Sequence, residues 1–144
     1  MGMIYNTGMQ NSDNKNVVKR FNVEVIEKGS EPAFRELMSD DFVNRTAPPG
    51  APNGPASMWN MFQNVLRPAF PDLTVEIHEQ LEDGDRVVTR KTIRGTHEGA
   101  FFGIAPTHKK VEIQVIDIVR VKDGKYAEHW GVNTLGATLA ELRQ

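Results

Sequence analysis

The 144-residue sequence contains no cysteine, only two tryptophans and two tyrosines, and no apolar run approaching the roughly 18 residues that cross a bilayer. Without cysteine, disulfides, thiolate metal sites, iron–sulfur clusters and a cysteine nucleophile are excluded together. A basic excess is missing too: 17 Lys plus Arg against 19 Asp plus Glu give a formal net charge of -2, which disfavours nucleic acid as a partner. The start, Met1-Gly2-Met3-Ile4, carries neither a basic leader region nor an apolar one, so a soluble, cytoplasmic protein without membrane association is expected. There is no GxSxG, no P-loop and no GxGxxG, which leaves serine hydrolase, NTPase and dinucleotide-binding readings without a motif. The histidines at 78, 97, 108 and 129 lack the HxH or HxxxH spacing that brings two ligands together, so no metal and no cofactor is expected.

What remains is an ordinary globular composition. Hydrophobic residues at 39% and charged residues at 25% suit one domain with a core large enough to hold a ligand cavity. Residues 1–11 are polar and aperiodic and are expected to be a flexible tail, with residues 12–144 a single domain. From a candidate N-cap at Ser12 or Asp13, Val17, Val18, Phe21, Val25 and Ile26 recur at helical spacing up to Gly29. A second helical stretch covers Pro32 to Met38, and a short strand covers Asp41 to Arg45. A Pro/Gly-rich loop, residues 48–55, precedes an amphipathic helix from Ala56 to about Phe70 that carries Trp59 and Phe62.

The second half switches to period two. Leu73 to Thr96 reads as a hairpin around Gly84, and Val111 to Val132 as another around Asp123-Gly124, with a loop over residues 99–107 between them and a final helix from Thr134. Helices followed by antiparallel strands predict an α+β fold, a curved antiparallel sheet covered by two or three N-terminal helices around an apolar pocket.

The chemistry centres on one strand. Val111, Ile113, Val115, Asp117, Val119 and Val121 share a face, so a single carboxylate interrupts five β-branched residues. A carboxylate so placed either acquires a partner or shifts its pKa, which makes Asp117 a candidate general acid/base or, alternatively, a core-organising group paired with an Arg or Trp. With a two-residue turn at Asp123-Gly124, Asp117 falls opposite Trp130 and Val119 opposite Glu128, which nominates Trp130 as a substrate wall and Glu128 as a second acid. On that register His129 points away, and one bulge reverses it. On the preceding hairpin Val87, Thr89, Lys91, Ile93, Gly95 and His97 form the more apolar face, so His97 is the preferred partner of Asp117. Arg90 and Arg94 lie on the other face, either as a solvated row or as electrophilic groups for a substrate oxygen. Ile116 and Ile118 point outward, where a second copy would pair with the sheet.

Three segments carry a resemblance: Phe101-Phe102-Gly103-Ile104-Ala105-Pro106-Thr107, Asp117-Ile118-Val119-Arg120, and Asp123-Gly124-Lys125 followed by Glu128-His129-Trp130. From about residue 14 onward the chain resembles the SnoaL-like polyketide cyclases of the NTF2-like superfamily. The resemblance implies a cone-shaped α+β fold and cofactor-free closure of an aromatic polyketide ring by intramolecular aldol condensation. It implies Asp117 as the acid/base, with His97 and His129 positioning substrate or polarising an oxygen. Expected substrate contacts are Trp130, Glu128, His129, Arg94, Phe101, Trp59 and Phe62, on a hydrophobic, polycyclic aromatic small molecule, in a homodimer. Two positions depart from the family pattern: His108 replaces a Gly after Pro-Thr, and Asn133 an Asp shortly after Glu-His-Trp. Readings from other classes are a non-catalytic small-molecule binding protein, an isomerase or hydrolase of the same superfamily, and a dimerisation module with a filled cavity.

Overall fold

The structure, a computed structural model, describes residues 13–144, so the 1–11 tail and the Ser12 cap lie outside the described residues. Helix α1 is α-helical over Asp13–Arg20 and continues with wider π-type turns over Phe21–Glu27. Its apolar stripe, Val18, Phe21, Val25 and Ile26, is buried. The widening coincides with Asn22, whose side-chain amide donates to the Val18 carbonyl at 2.9 Å and so intrudes on the backbone ladder. Gly29, at φ +73°, ends the helix, and Ser30 caps α2 (Glu31–Leu37) by accepting the Ala33 N–H at 3.2 Å. Helix α3 runs through Pro55–Asn60, a π-type stretch Met61–Leu66 and Arg67–Ala69, and α4 covers Leu135–Leu142. No helix among the described residues is long and apolar enough to cross a membrane.

The strands are β1 (Met38–Asn44), β2 (Thr74–Asp83), β3 (Arg86–Thr96), β4 (Lys110–Lys122) and β5 (Lys125–Asn133). They form one curved sheet in the order β1-β5-β4-β3-β2. The two hairpins are antiparallel as their alternation predicts, while β1 adds to the edge parallel to β5, with Asn44 beside His129. β1 also begins at Met38, earlier than the sequence pattern indicates, because Met38 and Phe42 are both drawn into the core.

The β4–β5 turn has φ of 52° at Asp123 and 76° at Gly124, the backbone that a two-residue Asp-Gly hairpin requires. Lys122 and Val121 pair with Lys125 and Tyr126, and the register then slips, so that Arg120 faces Glu128. Ala127 is the extra residue. From there every β5 side chain is turned over relative to the simple hairpin: Asp117 lies opposite Gly131, not Trp130.

The helices cover one face of the sheet. Phe21 joins the layers, stacked on Tyr126 at 4.1 Å between ring centroids and edge-on to Phe62 at 6.0 Å. Between helices and sheet lies a cavity of about 560 Å³, within the range that encloses a drug-sized molecule.

Candidate active site

The cavity wall is mostly apolar, with Phe21, Met58, Phe62, Leu66, Ile93 and Phe101 among its residues, and Asp117, Lys91 and His129 also line it. Asp117 and Lys91 are 5% and 4% exposed. β3 and β4 pair Thr89 with Asp117 and Lys91 with Val115, so Lys91 sits one diagonal step from Asp117 on the same face. Its ammonium lies 3.2 Å from Asp117 Oδ2 and donates to Asn22 Oδ1 at 2.6 Å. Because the Asn22 amide nitrogen is committed to Val18, its oxygen can only accept, which orients the Lys91 N–H.

His129 reaches the same carboxylate oxygen from β5, Nε2 to Oδ2 3.5 Å. Its tautomer follows from its other side. Asn44 Oδ1 accepts the Thr46 backbone N–H at 3.2 Å, so that atom is the oxygen, and His129 Nδ1, 3.0 Å away, must donate to it. A neutral His129 therefore turns the Nε2 lone pair toward Asp117, and the contact is attractive only with a proton between the two groups. Gly131 makes the approach possible: a Cβ there would stand 3.0 Å from His129 Cε1 and 3.4 Å from Asp117 Cβ.

Opposed effects act on Asp117. Burial pushes its carboxyl up, but the Lys91 ammonium and the His129 hydrogen bond outweigh burial and hold it below the usual carboxylate range. Oδ1 is buried with no hydrogen-bond partner, so acceptor capacity remains. Tyr126, also in the wall, is pushed well above the ordinary phenol value by burial and by the Asp117 charge, and stays neutral.

Of the residues nominated from the sequence, Asp117, His129, Phe101 and Phe62 meet at the cavity. The others do not. His97 is fully buried, but beyond the end of β3 under loop 98–108: Nδ1 accepts the Thr107 N–H at 3.2 Å, and the ring packs by Phe70 and Phe101. It holds that loop, and with it Phe101, rather than Asp117. Trp130, turned over by the bulge, pairs with Ile118 on the outer face, with the Arg86 guanidinium 4.8 Å from its ring centroid. Glu128 is on the outer face as well, accepting from Arg120 at 2.6 Å and from Arg45 at 2.7 Å, contacts that hold its carboxyl low. The Arg of D-x-x-R and the Glu of E-H-W are thus each other's partners. Arg94 is tied to Glu112 and Glu76 in solvent, and Trp59 packs on Phe34 at 5.0 Å, outside the cavity lining.

Sequence reasoning missed Lys91, Asn22 and Asn44. Lys91 had the signal that revealed Asp117, a lone charge on an apolar strand face. Asn22 lies within the apolar stripe of α1 and had a weaker form of it.

The sequence pattern of the SnoaL-like polyketide cyclases matches residues 16–142. The chain belongs to this family. Among solved structures it is similar to IdmH, a candidate polyketide cyclase from Streptomyces antibioticus, at 28% identity and TM-score 0.79, covering 92% of this chain and 100% of that one. A candidate polyketide cyclase from Bacillus cereus is 28% identical, with TM-score 0.77 over 91% of this chain and 80% of its own. AclR, a candidate hydroxylase from Streptomyces galilaeus, is 27% identical, with TM-score 0.79 over 91% of this chain and 81% of its own. No curated protein matches the chain. Similar folds in this family therefore carry different proposed reactions, and the assignment of chemistry rests on the site itself.

Proposed function

We propose that residues 12–144 act as one cofactor-free cyclase unit that closes a ring of a hydrophobic, polycyclic aromatic polyketide by intramolecular aldol condensation, with Asp117 as the acid/base. The observation that carries this reading is a carboxylate with unused acceptor capacity in the wall of a roomy apolar cavity. Asp117 takes a proton from a carbon beside a carbonyl, the resulting carbanion equivalent attacks a second carbonyl of the same molecule, and the proton returns to the new alkoxide. Atoms balance without a co-reactant. Apolar walls exclude water from the intermediate.

An arginine locked in a bidentate pair with Asp117 would favour a pure binding protein, since that geometry suppresses carboxylate basicity. The partners here are a lysine and a histidine, each on a single contact to Oδ2. A dimerisation module needs a filled cavity, and about 560 Å³ is open. The reading includes a cytoplasmic homodimer paired through the outer sheet face.

Asp117→Asn keeps shape and removes the base. With an aromatic keto-ester or keto-aldehyde polyketide as substrate, turnover should fall by about 10²–10⁴-fold while ligand binding persists. Unchanged turnover would remove Asp117 from the chemistry.

A further inference from the structure

Lys91 is the one cation among the residues of β3, β4 and β5 that is both buried and part of the cavity wall, His129 apart. An ammonium has three N–H groups. One goes to Asn22 Oδ1 and one faces Asp117 Oδ2; among the described residues the third has no partner. The anchor from α1 and the strand beneath fix the nitrogen, so this donor is preorganised next to the carboxylate that still has a free acceptor oxygen. A charged donor and a charged acceptor side by side in an apolar wall match a substrate that loses a proton at carbon and gains negative charge at an adjacent oxygen.

We infer that Lys91 is the electrophilic catalytic residue of this site, its free N–H donating to a substrate carbonyl oxygen, and that the substrate is a carbon acid activated by two carbonyls, a β-dicarbonyl segment. The inference rests on the acid/base reading of Asp117 and adds to it. In the step, the C–H bond between the carbonyls breaks, its proton moves to the Asp117 carboxylate, and its electron pair becomes an enolate whose oxygen accepts the Lys91 N–H. The enolate carbon then bonds to the carbon of a third carbonyl elsewhere in the same molecule, the C=O π bond there breaks, and the proton held by Asp117 passes to the resulting alkoxide oxygen. Nothing is oxidised or reduced.

Two features favour the doubly activated substrate. Asp117, held below the ordinary carboxylate range by the same lysine, is a weak base and needs an acidic carbon. The enolate of a β-dicarbonyl spreads its charge over two oxygens, so a single fixed cation and the neutral Tyr126 phenol in the wall suffice to receive it.

The test uses benzoylacetone, a stable β-diketone whose enolate absorbs at longer wavelength than its enol, with binding measured separately by equilibrium dialysis. The wild-type protein should hold bound probe as the enolate at a pH where the free probe is neutral. Lys91→Met and Lys91→Gln, each checked for folding by thermal melting, should bind the probe but reduce the enolate fraction by about 10²-fold or more, the usual effect of deleting one oxyanion donor. Lys91→Arg should restore part of it. Enolate formed equally by the folded Lys91→Gln variant, or none formed by wild type with probe bound, would overturn the inference. Asp117→Asn separates the two ideas when the protein-catalysed rate of deuterium exchange at the probe's central carbon is read alongside: exchange lost in this variant but kept in both Lys91 variants removes Lys91 and leaves the acid/base reading standing, whereas exchange kept in all three removes both.

Discussion

The two faces of the sheet use the same charged residue types to opposite effect. On the outer face Arg94 bridges Glu76 and Glu112 in contacts open to water, and Glu128 joins Arg45 to Arg120 in a half-covered network. On the cavity face Lys91, Asp117 and His129 are few, sheltered and incompletely partnered. Solvent screens the first set and makes each pair worth little, while the second set, withdrawn from bulk solvent, is screened far less. Position on a strand, one residue more or less, decides whether a charge meets solvent or the cavity.

The largest break in this contrast should come from Lys91→Met, which leaves the buried Asp117 with only its 3.5 Å contact to His129. A loss of about 3–5 kcal/mol in denaturant unfolding is expected, with much of it recovered in the double variant with Asp117→Asn. Gly131→Val should be next. Its Cβ would stand 3.0 Å from His129 Cε1, so the ring has to shift by a few tenths of an ångström beside Asp117 and the added methyls crowd it further, lowering stability by about 1–3 kcal/mol and reducing turnover, which unfolding and rate measurements read together.

On the outer face the sheet presents an apolar band, with Leu81, Ile116 and Val132 at 60%, 47% and 69% exposure across the β2, β4 and β5 positions. Ile116→Asp with Val132→Asp should convert the proposed homodimer to monomer by light scattering without altering the cavity. A monomeric wild type would refute that interface. The smallest effect belongs to Arg94→Ala, which should barely move the unfolding midpoint, and move it less at high salt.

Asp117 also contributes to the acid side of the pH–stability curve. Asp117 is depressed in the folded state, so its contribution is present above the ordinary carboxylate value of about 3.9 and is lost as pH falls through the lower folded value. Asp117→Asn should flatten that part of the curve.

Much of this was legible in the chain. Period two with a lone Asp117 among β-branched neighbours put that carboxylate on the cavity face, and the helical stripe of α1 marked the layer above it. What failed was β5. A bulge leaves no trace in alternation except two consecutive buried residues, Tyr126 and Ala127, and this single slip exchanged Trp130 for His129 at the cavity and sent Glu128 to the surface. His97 was placed on the correct face, but strand β3 ends one residue before it, at Thr96, and the following loop claims its ring. Lys91 stands out in the sequence as a charge on an apolar face, yet its ammonium is anchored by Asn22 from a helix 69 residues away in sequence, and no periodicity encodes that contact.

The claim that the cavity charges act as a coupled pair is tested most directly by an NMR titration of the Asp117 side-chain carboxyl in the wild type and in Lys91→Met. With Lys91 present the carboxyl should titrate below the ordinary range; without it, burial, already the largest single influence, is opposed by His129 alone, and the value should rise. A wild-type value at or above the ordinary range, or one that Lys91→Met leaves unmoved, would contradict the account.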